Sequence, residues 1–383
     1  MSRVKFGDVV KDVKINIDRL NNPYEYYVAG DHMDSEDLTI HRKGCFTTDD
    51  VGPAFIRVFK PGQILYGSRR TYLKKIAVAD FEGVCANTTF VFETKDPHAF
   101  EQRLLPFIML SKDFTTWSIA KSKGSTNPYV LFSDLADFEF ELPPLEEQKI
   151  LADKLWAAYR LKEAYKKLLD ATDEMVKSQF IEMFGNPLSL NQKNELKRLG
   201  ECCILNPRRP NIALCDTDKV SFIPMPAVSE DGYLVDMTDE EYGKVKKGFT
   251  YFENNDVLFA KITPCMENGK GAIVHGLTNG IGMGSTEFHV LRPINGISNP
   301  YWLLALTRMP IFRERAAKNM SGTGGQKRVS ASYLDHFMVG LPAIEEQRRF
   351  EAIYRQADKS KSVIQKALVY LNDIQSDELG KIA

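Results

Sequence analysis

The sequence predicts an α+β protein in which two globular domains of mixed helix and strand are joined by two long helices that pack on each other as a coiled coil. The stretch LPPLEEQKILADKL, which starts at Leu142, recurs as LPAIEEQRRFEAIY from Leu341, 199 residues later. Each copy opens a long helix, and both helices carry apolar residues in heptad register. A single duplication of this length indicates two similar halves rather than a solenoid of short repeats.

Composition and charge are those of a globular protein. A chain of 383 residues is too long for one ordinary core, and 43% hydrophobic with 26% charged residues excludes a disordered chain. No apolar run approaches the roughly 20 residues of a membrane span, and the N-terminus lacks the apolar segment of a signal peptide. The formal net charge is −1, so nucleic-acid binding would depend on local basic patches.

Cysteine and histidine spacing predicts neither disulfides nor a metal site. The six cysteines contain no CxxC pair and no metal-ligand spacing, so we expect reduced thiols and a cytoplasmic location. The six histidines form no ligand spacing either. His289 lies in a predicted strand and is expected to be a packed core histidine.

The first long helix begins after Pro143 and Pro144, which suit a helix start because proline lacks the N–H that has no partner there. Glu146 and Glu147 favour the positive end of the helix dipole. No proline or glycine follows until the sequence GNP, which begins at Gly185 and ends the helix. The helix therefore spans about 40 residues, or roughly 60 Å at 1.5 Å per residue.

Residues spaced alternately by four and three form a seam along both helices. Such a narrow stripe of period 3.5 favours packing of helix on helix. Packing of each helix on its own globular domain is the alternative. A lysine interrupts both seams at the fourth position. The predicted seam consists of Leu151, Leu155, Ala158, Lys162, Tyr165, Leu169, Thr172 and Val176 in the first helix and Phe350, Tyr354, Ala357, Lys361, Ile364, Leu368, Leu371 and Gln375 in the second.

The segments between the helices also resemble each other. Short β-rich runs recur at 63–67 and 256–260 and at 87–93 and 285–291, and short helices are predicted at 100–110 and 301–309. We therefore predict one α+β domain at 1–141 followed by a spacer helix at 142–185, and a second domain at 186–340 followed by a spacer helix at 341–383.

Four short motifs link the chain to a known family. They are LPPLEEQK at the start of the first long helix, MFGNP at its end, LPAIEEQR at the start of the second, and a Gly/Ser/Thr-rich stretch before each LP motif. In these motifs the chain resembles the specificity (S) subunits of type I restriction-modification systems, over essentially its whole length. The resemblance implies two target-recognition domains, each reading one half of a bipartite DNA sequence, and an antiparallel coiled coil that fixes the distance between the half-sites.

The resemblance also implies that the chain is not an enzyme. Such subunits bind double-stranded DNA and two adenine-methylating (M) subunits, and two ATP-driven restriction (R) subunits can join them. No cofactor is expected in this chain, because S-adenosylmethionine, ATP and magnesium belong to the partner subunits.

Motifs of catalysis are missing from the sequence. An adenine methyltransferase needs [NDS]-P-P-[YFW], and the nearest matches at 21–24, 126–129 and 298–301 lack the first proline, so we interpret them as turns. The run ENGKGA at 267–272 contains Gly-Lys without the remainder of a P-loop. Catalysis would therefore come from partners.

Two stretches of the first domain are candidates for DNA contact, since recognition needs side chains at base edges and Lys/Arg on phosphates. Residues 60–75 are basic and aromatic without an acid, although a solvated basic face is the alternative. Residues 121–129 combine small residues with an asparagine, which can pair bidentately with adenine. The candidate contacts are Arg69, Arg70, Lys74, Lys75, Lys123, Ser125, Thr126, Asn127 and Tyr129.

In the second domain, residues 321–328 lie at the same place relative to the LP motif, and the resemblance implies that this segment faces DNA. A further candidate is Lys261 with Thr263 and Lys270, for which an ordinary hairpin is the alternative. The candidate contacts are Lys261, Thr323, Gln326, Lys327 and Arg328.

The Glu-Glu-Gln of both LP motifs has two interpretations. Helix capping accounts for the carboxylates but less easily for Gln148 and Gln347. A surface for the methylating subunits is the alternative.

We predict a non-catalytic DNA-specificity subunit that also sets the spacing of an assembly. Two alternatives stay open: a two-domain coiled-coil scaffold that binds protein or RNA, and an antirepressor-like DNA-binding protein without enzyme partners.

Overall fold

A computed structural model of the chain describes residues 2–18, 21–185, 195–323 and 325–382. The chain divides into two compact units, of which unit 1 comprises Met1–Lys166 with Gln365–Ala383 and unit 2 comprises Lys167–Ile364. Each unit contains one globular domain and a part of each long helix. The predicted start of the second domain at residue 186, together with Asn186 and Pro187 of the helix stop, lies outside the described residues.

The domain of unit 1 consists of short strands and short helices. The helices are α1 Phe6–Val9, α2 Leu105–Leu110, α3 Lys112–Lys121 and α4 Phe132–Ala136. The strands are β1 Ser2–Lys5, β2 Val10–Asp12, β3 Tyr26–Val28, β4 Gly44–Cys45, β5 Phe55–Phe59, β6 Ile64–Gly67, β7 Ile76–Val78, β8 Gly83–Ala86, β9 Thr89–Thr94 and β10 Glu139–Leu142. They form sheets of order β2-β9-β6-β7, β4-β3-β8-β5 and β1-β10, with β3 and β8 parallel.

The domain of unit 2 repeats this plan. Its helices are α6 Leu199–Cys202, α7 Tyr242–Val245, α8 Pro300–Arg308, α9 Pro310–Lys318 and α10 Ala331–Asp335. Its strands are β11 Glu195–Arg198, β12 Cys203–Leu205, β13 Lys219–Ile223, β14 Thr238–Glu241, β15 Thr250–Glu253, β16 Val257–Ala260, β17 Gly271–Ile273, β18 Ile281–Gly284, β19 Phe288–Pro293 and β20 Met338–Leu341.

Strand order shows the duplication most directly. The sheets of unit 2 have the orders β12-β19-β16-β17, β14-β13-β18-β15 and β11-β20, which are those of unit 1 with every strand number raised by ten. The parallel pair recurs as β13 and β18. The predicted α+β class and the repeat of the domain are therefore confirmed.

The innermost strands account for the runs that resemble each other in sequence. β6 and β16 each have a neighbour on both sides in their sheets, and all four residues of β16 are buried. A strand that is covered on both faces has a continuous apolar sequence rather than an alternating one. The sequences ILYG and VLFA fit this requirement.

Two long helices follow the domains. Helix α5 spans Leu145–Phe184 with 40 residues, and helix α11 spans Ile344–Leu379 with 36. At the end of α5, Gly185 has a φ of +70° and its N–H donates to the Ile181 carbonyl at 2.8 Å. Glycine adopts this left-handed conformation without a steric penalty, which explains why the helix ends there.

The two helices run antiparallel within unit 1. Lys162 Nζ donates to Gln375 Oε1 at 3.1 Å, and eight residues earlier in α5, Lys154 Nζ lies 3.8 Å from Glu378 Oε1. A lower residue number in α5 therefore pairs with a higher number in α11.

Unit 2 shows the same direction of packing. Asp173 lies 2.5 Å from Lys361, and the rings of Phe180 and Phe350 are 5.3 Å apart. Residue numbers that increase along α5 again pair with numbers that decrease along α11. The helix portions of each unit therefore form an antiparallel pair.

The structure places every residue of the predicted seam in a buried or half-buried position. Leu151 and Leu155 pack with Leu379 of α11 in a cluster that also contains the core of the domain of unit 1. Phe350 and Phe180 pack together in the corresponding cluster of unit 2. Helix-on-helix packing and packing on the domain are therefore combined.

A buried glutamine joins each long helix to its domain. Gln148 is 1% exposed; its Nε2 donates to the carbonyls of Pro143 at 2.8 Å and Ala99 at 3.1 Å, and its Oε1 accepts from the N–H of Glu101 at 2.9 Å. The hydrogen bond that Gln148 Oε1 accepts caps a short helix of the domain, because its donor, Glu101, directly precedes the 3-10 helix Gln102–Leu104.

Gln347 makes the same contacts in unit 2. It is fully buried; its Nε2 donates to the carbonyls of Pro342 and Ile297, both at 2.9 Å, and its Oε1 accepts from the N–H of Asn299 at 2.8 Å. Asn299 is the N-cap of α8. The glutamine of the repeated motif thus binds the first turn of a domain helix in both units, while Glu147, its neighbour, is exposed.

Replacing the glutamines should destabilise the domains. Gln148→Leu and Gln347→Leu keep the volume but leave one N–H and two carbonyls without a partner, so we expect the free energy of unfolding to fall by about 1–3 kcal/mol for each. Urea unfolding measures the effect. Glu147→Ala, at an exposed position, is the control and should change stability by less than about 0.5 kcal/mol. Equal stability of the leucine variants and the control would show that the glutamines are dispensable.

Candidate nucleic-acid interface

Backbone hydrogen bonds close a small hairpin from the second basic stretch of unit 1. The N–H of Lys123 donates to the Tyr129 carbonyl at 2.8 Å, and the N–H of Tyr129 donates back to the Lys123 carbonyl at 2.9 Å. We call residues 123–129 hairpin 1. Its Ser125, Thr126 and Asn127 are exposed, and Tyr129 is 43% exposed.

The first basic stretch lies against hairpin 1. Arg69 and Tyr129 form a β-bridge, and the N–H of Arg70 donates to the Pro128 carbonyl at 2.7 Å. The residue that follows hairpin 1 is also bound to this stretch, since the N–H of Val130 donates to the Ser68 carbonyl at 3.0 Å. The two predicted DNA-contacting stretches of unit 1, which are some 50 residues apart in sequence, therefore form one surface.

Two basic residues of this surface have an unusual backbone conformation. Arg70 and Lys74 flank the 3-10 helix Thr71–Leu73 and have φ values of +51° and +47°. Residues other than glycine adopt this left-handed conformation at a cost of about 1–2 kcal/mol. The bond from Arg70 to hairpin 1 helps to hold the turn in this shape.

A second hairpin occupies the same place in unit 2. The N–H of Ser321 donates to the Arg328 carbonyl at 3.0 Å, and the N–H of Arg328 donates to the Ser321 carbonyl at 2.8 Å. We call residues 321–328 hairpin 2, of which Gly324 lies outside the described residues. At Gly322, with φ +140°, a Cβ would lie 2.4 Å from the Gln326 carbonyl oxygen, so only glycine fits there.

Hairpin 2 is paired to the segment that follows β16. The N–H of Thr263 donates to the Lys327 carbonyl at 3.0 Å, and the N–H of Val329 donates to the Lys261 carbonyl at 2.9 Å. The structure thus brings Lys261 next to Lys327 and Arg328. In both units, the residues directly after β6 or β16 form backbone hydrogen bonds with the hairpin segment that precedes the LP motif.

Ion pairs separate the candidate cations into two groups. Carboxylate partners hold four of them: Lys74 with Glu36 at 2.6 Å, Lys75 with Asp31 at 3.9 Å, Lys123 with Asp134 at 2.9 Å, and Arg328 with Glu287 at 2.8 Å. Arg69, Arg70, Lys261 and Lys327 form no ion pair within the part of the chain that the structure describes. A cation without a carboxylate partner is the better phosphate ligand, because it gives up no ion pair on binding.

The pair of Arg328 and Glu287 has a positioning role. Both Nε and Nη2 of Arg328 reach Glu287, and hydrogen bonds from this guanidinium lower the pKa of Glu287. The carbonyl of Glu287 in turn accepts from the N–H of Lys261 at 2.9 Å. The bidentate pair therefore ties the base of hairpin 2 to the segment after β16. Sequence reasoning missed Glu287, because nothing in a single sequence distinguishes this half-buried acid from the many exposed ones.

His289 lies beneath hairpin 2. It is 5% exposed, its Nε2 donates to the Val329 carbonyl at 2.9 Å, and burial lowers its pKa. This is the packed histidine expected from the sequence.

One group of side chains within the described ranges has the composition of a metal site. Ligand atoms of Asp37, His41 and Glu163 lie within 4.8 Å of one another. The carboxylate of Asp37 already accepts hydrogen bonds from the Tyr159 hydroxyl at 2.6 Å and the Thr39 N–H at 2.9 Å. Hydrogen bonding accounts for this group, and we assign no metal to it.

The family model of the type I restriction modification DNA specificity domain matches residues 19–171 and 191–368, which is most of the chain. The chain belongs to this family. The two matched ranges correspond to the two copies of the domain with their helices, in agreement with the resemblance seen in the LP motifs.

Characterised relatives match the chain over shorter stretches. The specificity subunit of the type I restriction enzyme EcoAI from Escherichia coli is 43% identical over 136 residues, which is 35% of this chain and 23% of the relative. The corresponding EcoEI subunit, also from Escherichia coli, is 38% identical over 166 residues, 43% of this chain and 27% of the relative. The matched stretch thus spans only about a quarter of each relative.

Solved structures extend the similarity of fold to the whole chain. The S subunit of a type I restriction-modification system from M. genitalium aligns with a TM-score of 0.60 and 14% sequence identity, covering 99% of this chain and 94% of that one. At this identity the match shows the fold alone. Among the described residues, every helix is too short or too polar to span a lipid bilayer.

Proposed function

We propose that this chain is the non-catalytic DNA-specificity subunit of a type I restriction-modification complex, in which each domain recognises one half of a bipartite DNA site. The observation that carries the proposal is the recurrence of one exposed hairpin with unpaired cations beside it on two domains of identical topology. Such a duplicated arrangement fits a ligand with two separate recognition elements. Membership of the specificity-domain family supports DNA as that ligand.

The hairpins supply the chemistry that DNA binding needs. Arg69, Arg70 and Lys327 would contact phosphates and fix the position of the duplex. Asn127 and Gln326 are exposed on the hairpins, and their amide groups can pair bidentately with adenine in the major groove. Side chains at the hairpin tips would thus select the sequence, while the cations behind them supply affinity.

The long helices would set the distance between the half-sites. Helix α5 is continuous through residues assigned to both units, and it pairs with α11 in antiparallel fashion within each unit. A helix of fixed rise per residue is a suitable spacer, because its length is set by the number of residues alone.

The same helices would bind the methyltransferase subunits. Leu161, Leu168 and Met175 recur every seven residues along α5 and are 43%, 48% and 41% exposed. In unit 2, Leu168 and Met175 line an apolar groove of about 550 Å³ together with Ile353 and Ile364 of α11. An exposed apolar stripe of this kind is typical of a protein interface.

Catalysis and cofactors would belong to the partners. We propose two methyltransferase subunits, which carry S-adenosylmethionine, and restriction subunits, which carry ATP and magnesium, around one copy of this chain. The complex would act in the cytoplasm, where the DNA lies. The fold and family disfavour the alternative of a scaffold for protein or RNA.

Methylation-sensitive sequencing of the host genome, with and without this gene, tests the proposal. Deletion of the gene should abolish adenine methylation at one bipartite motif and leave other methylated motifs intact. Restoring the gene on a plasmid should restore that motif. Persistence of every methylated motif in the deletion strain would contradict the proposed function.

The charge distribution predicts which cations contribute to affinity. In a complex with its methyltransferase subunits, Arg69→Gln with Arg70→Gln should weaken DNA binding and reduce the slope of log K against log salt by about 2, near 0.9 per lost phosphate contact. Fluorescence anisotropy over a range of salt concentrations measures this slope.

The matched control lies in the same loop. Lys74→Gln with Lys75→Gln removes the same charge from residues that already have partners in the protein, so the slope should change by less than about 1. A larger effect of the lysine pair than of the arginine pair would show that the unpaired cations do not face the phosphates.

A further inference from the structure

Each unit contains a crevice between its domain and its helix pair, and the helix sides of the two crevices correspond to each other. The crevice of unit 1 measures about 530 Å³ and that of unit 2 about 290 Å³. Along the helices, six residues of one crevice have a counterpart 199 positions away in the other. These residues are Tyr159, Lys162, Asn372, Gln375, Ser376 and Leu379 in unit 1, and Asp358, Lys361, Asp173, Val176, Lys177 and Phe180 in unit 2.

In unit 2 the crevice lysine has a carboxylate partner. Lys361 is only 9% exposed, and its Nζ lies 2.5 Å from Asp173 Oδ1. Burial of a charge is unfavourable unless an opposite charge accompanies it, and this pair meets that condition.

In unit 1 the corresponding carboxylate is missing. The counterpart of Lys361 is Lys162, and the counterpart of Asp173 is Asn372. Lys162 donates to the amide oxygen of Gln375 at 3.1 Å and forms no ion pair with any described residue. Burial, reinforced by the charge of Lys166, lowers the pKa of Lys162. A half-buried ammonium group thus faces the crevice without a counter-charge in contact.

Other groups around the crevice of unit 1 are compatible with an anion. Lys112 lies on its wall and forms no ion pair among the described residues, and Lys74, also on the wall, is neutralised by Glu36 at 2.6 Å. Asp113 is the remaining carboxylate of the lining. The lining residues therefore carry a net charge of about +1, and the volume lies within the range of small-ligand sites.

We propose that the crevice of unit 1 binds a small anion with a phosphate group, whose oxygen occupies the place that the Asp173 carboxylate has in unit 2. The phosphate would accept a charge-assisted hydrogen bond from Lys162 and a second one from Lys112. The ligand is either free phosphate or the phosphate of a nucleotide. No residue of either hairpin lines this crevice, although Lys74 of the first basic stretch lies on its wall, and the site does not rest on the proposed function.

Isothermal titration of the full chain with inorganic phosphate and, separately, with adenosine monophosphate tests the site. We expect saturable binding of one or both probes, and the tighter of the two identifies the source of the phosphate. Lys162→Gln, which removes the charge, and Asn372→Asp, which supplies the carboxylate found in unit 2, should each weaken binding by at least about tenfold, the effect of one lost charge-assisted hydrogen bond.

Lys149→Gln is the matched control, since Lys149 lies on α5 outside the lining of the crevice and pairs with Glu146 at 2.7 Å. Its binding should stay within about twofold of the wild type. Thermal unfolding of each variant shows whether it is folded. If Lys162→Gln does not fold, the binding measured for Asn372→Asp alone tests the site. Absence of saturable binding, or equal binding by Asn372→Asp and the wild type, would overturn the site. Neither outcome affects the DNA-binding measurements.

Discussion

The contact on which the rest of the structure depends is the hydrogen-bonded glutamine at the start of each long helix. The side-chain amides of Gln148 and Gln347 each bind the start of a long helix and the first turn of a domain helix, using both Oε1 and Nε2. Both side chains are buried. Such a contact fixes direction as well as distance, because an amide must meet its donor and acceptors together. It therefore sets the orientation of a domain on its helix, and with it the position of the hairpin that the domain carries.

The two units keep this framework and differ in the charges placed on it. Hairpin 1 is anchored by Lys123 and Asp134, whereas hairpin 2 is anchored by Arg328 and Glu287. The seam lysines are at equivalent positions but have different partners, an amide for Lys162 and a carboxylate for Lys361. Topology is thus common to both halves, while the polar side chains that would meet ligands are particular to each. This combination suits the proposed recognition of two half-sites, one by each domain.

Much of the architecture could be predicted from sequence, because it is encoded locally. Helix α5 follows from an uninterrupted heptad pattern between proline and glycine, and β6 and β16 follow from short apolar runs. Contacts between distant segments could not be predicted in this way. The approach of Arg69 to Tyr129, the ion pair of Arg328 with Glu287, and the burial of Gln148 under the domain depend on tertiary packing. The sequence indicated that the glutamine needed an explanation, but its partners appear only in the folded chain.

Shortening both long helices tests most directly whether they set the distance between the two half-sites, as the proposed function requires. Removal of residues 165–171 and 364–370 deletes one heptad from each helix and keeps the seam in register. The gap between the methylated half-sites should shrink by about 10 Å, or about three base pairs, with both half-site sequences unchanged. An unchanged gap, or a changed half-site sequence, in methylation sequencing of the shortened variant would contradict the account.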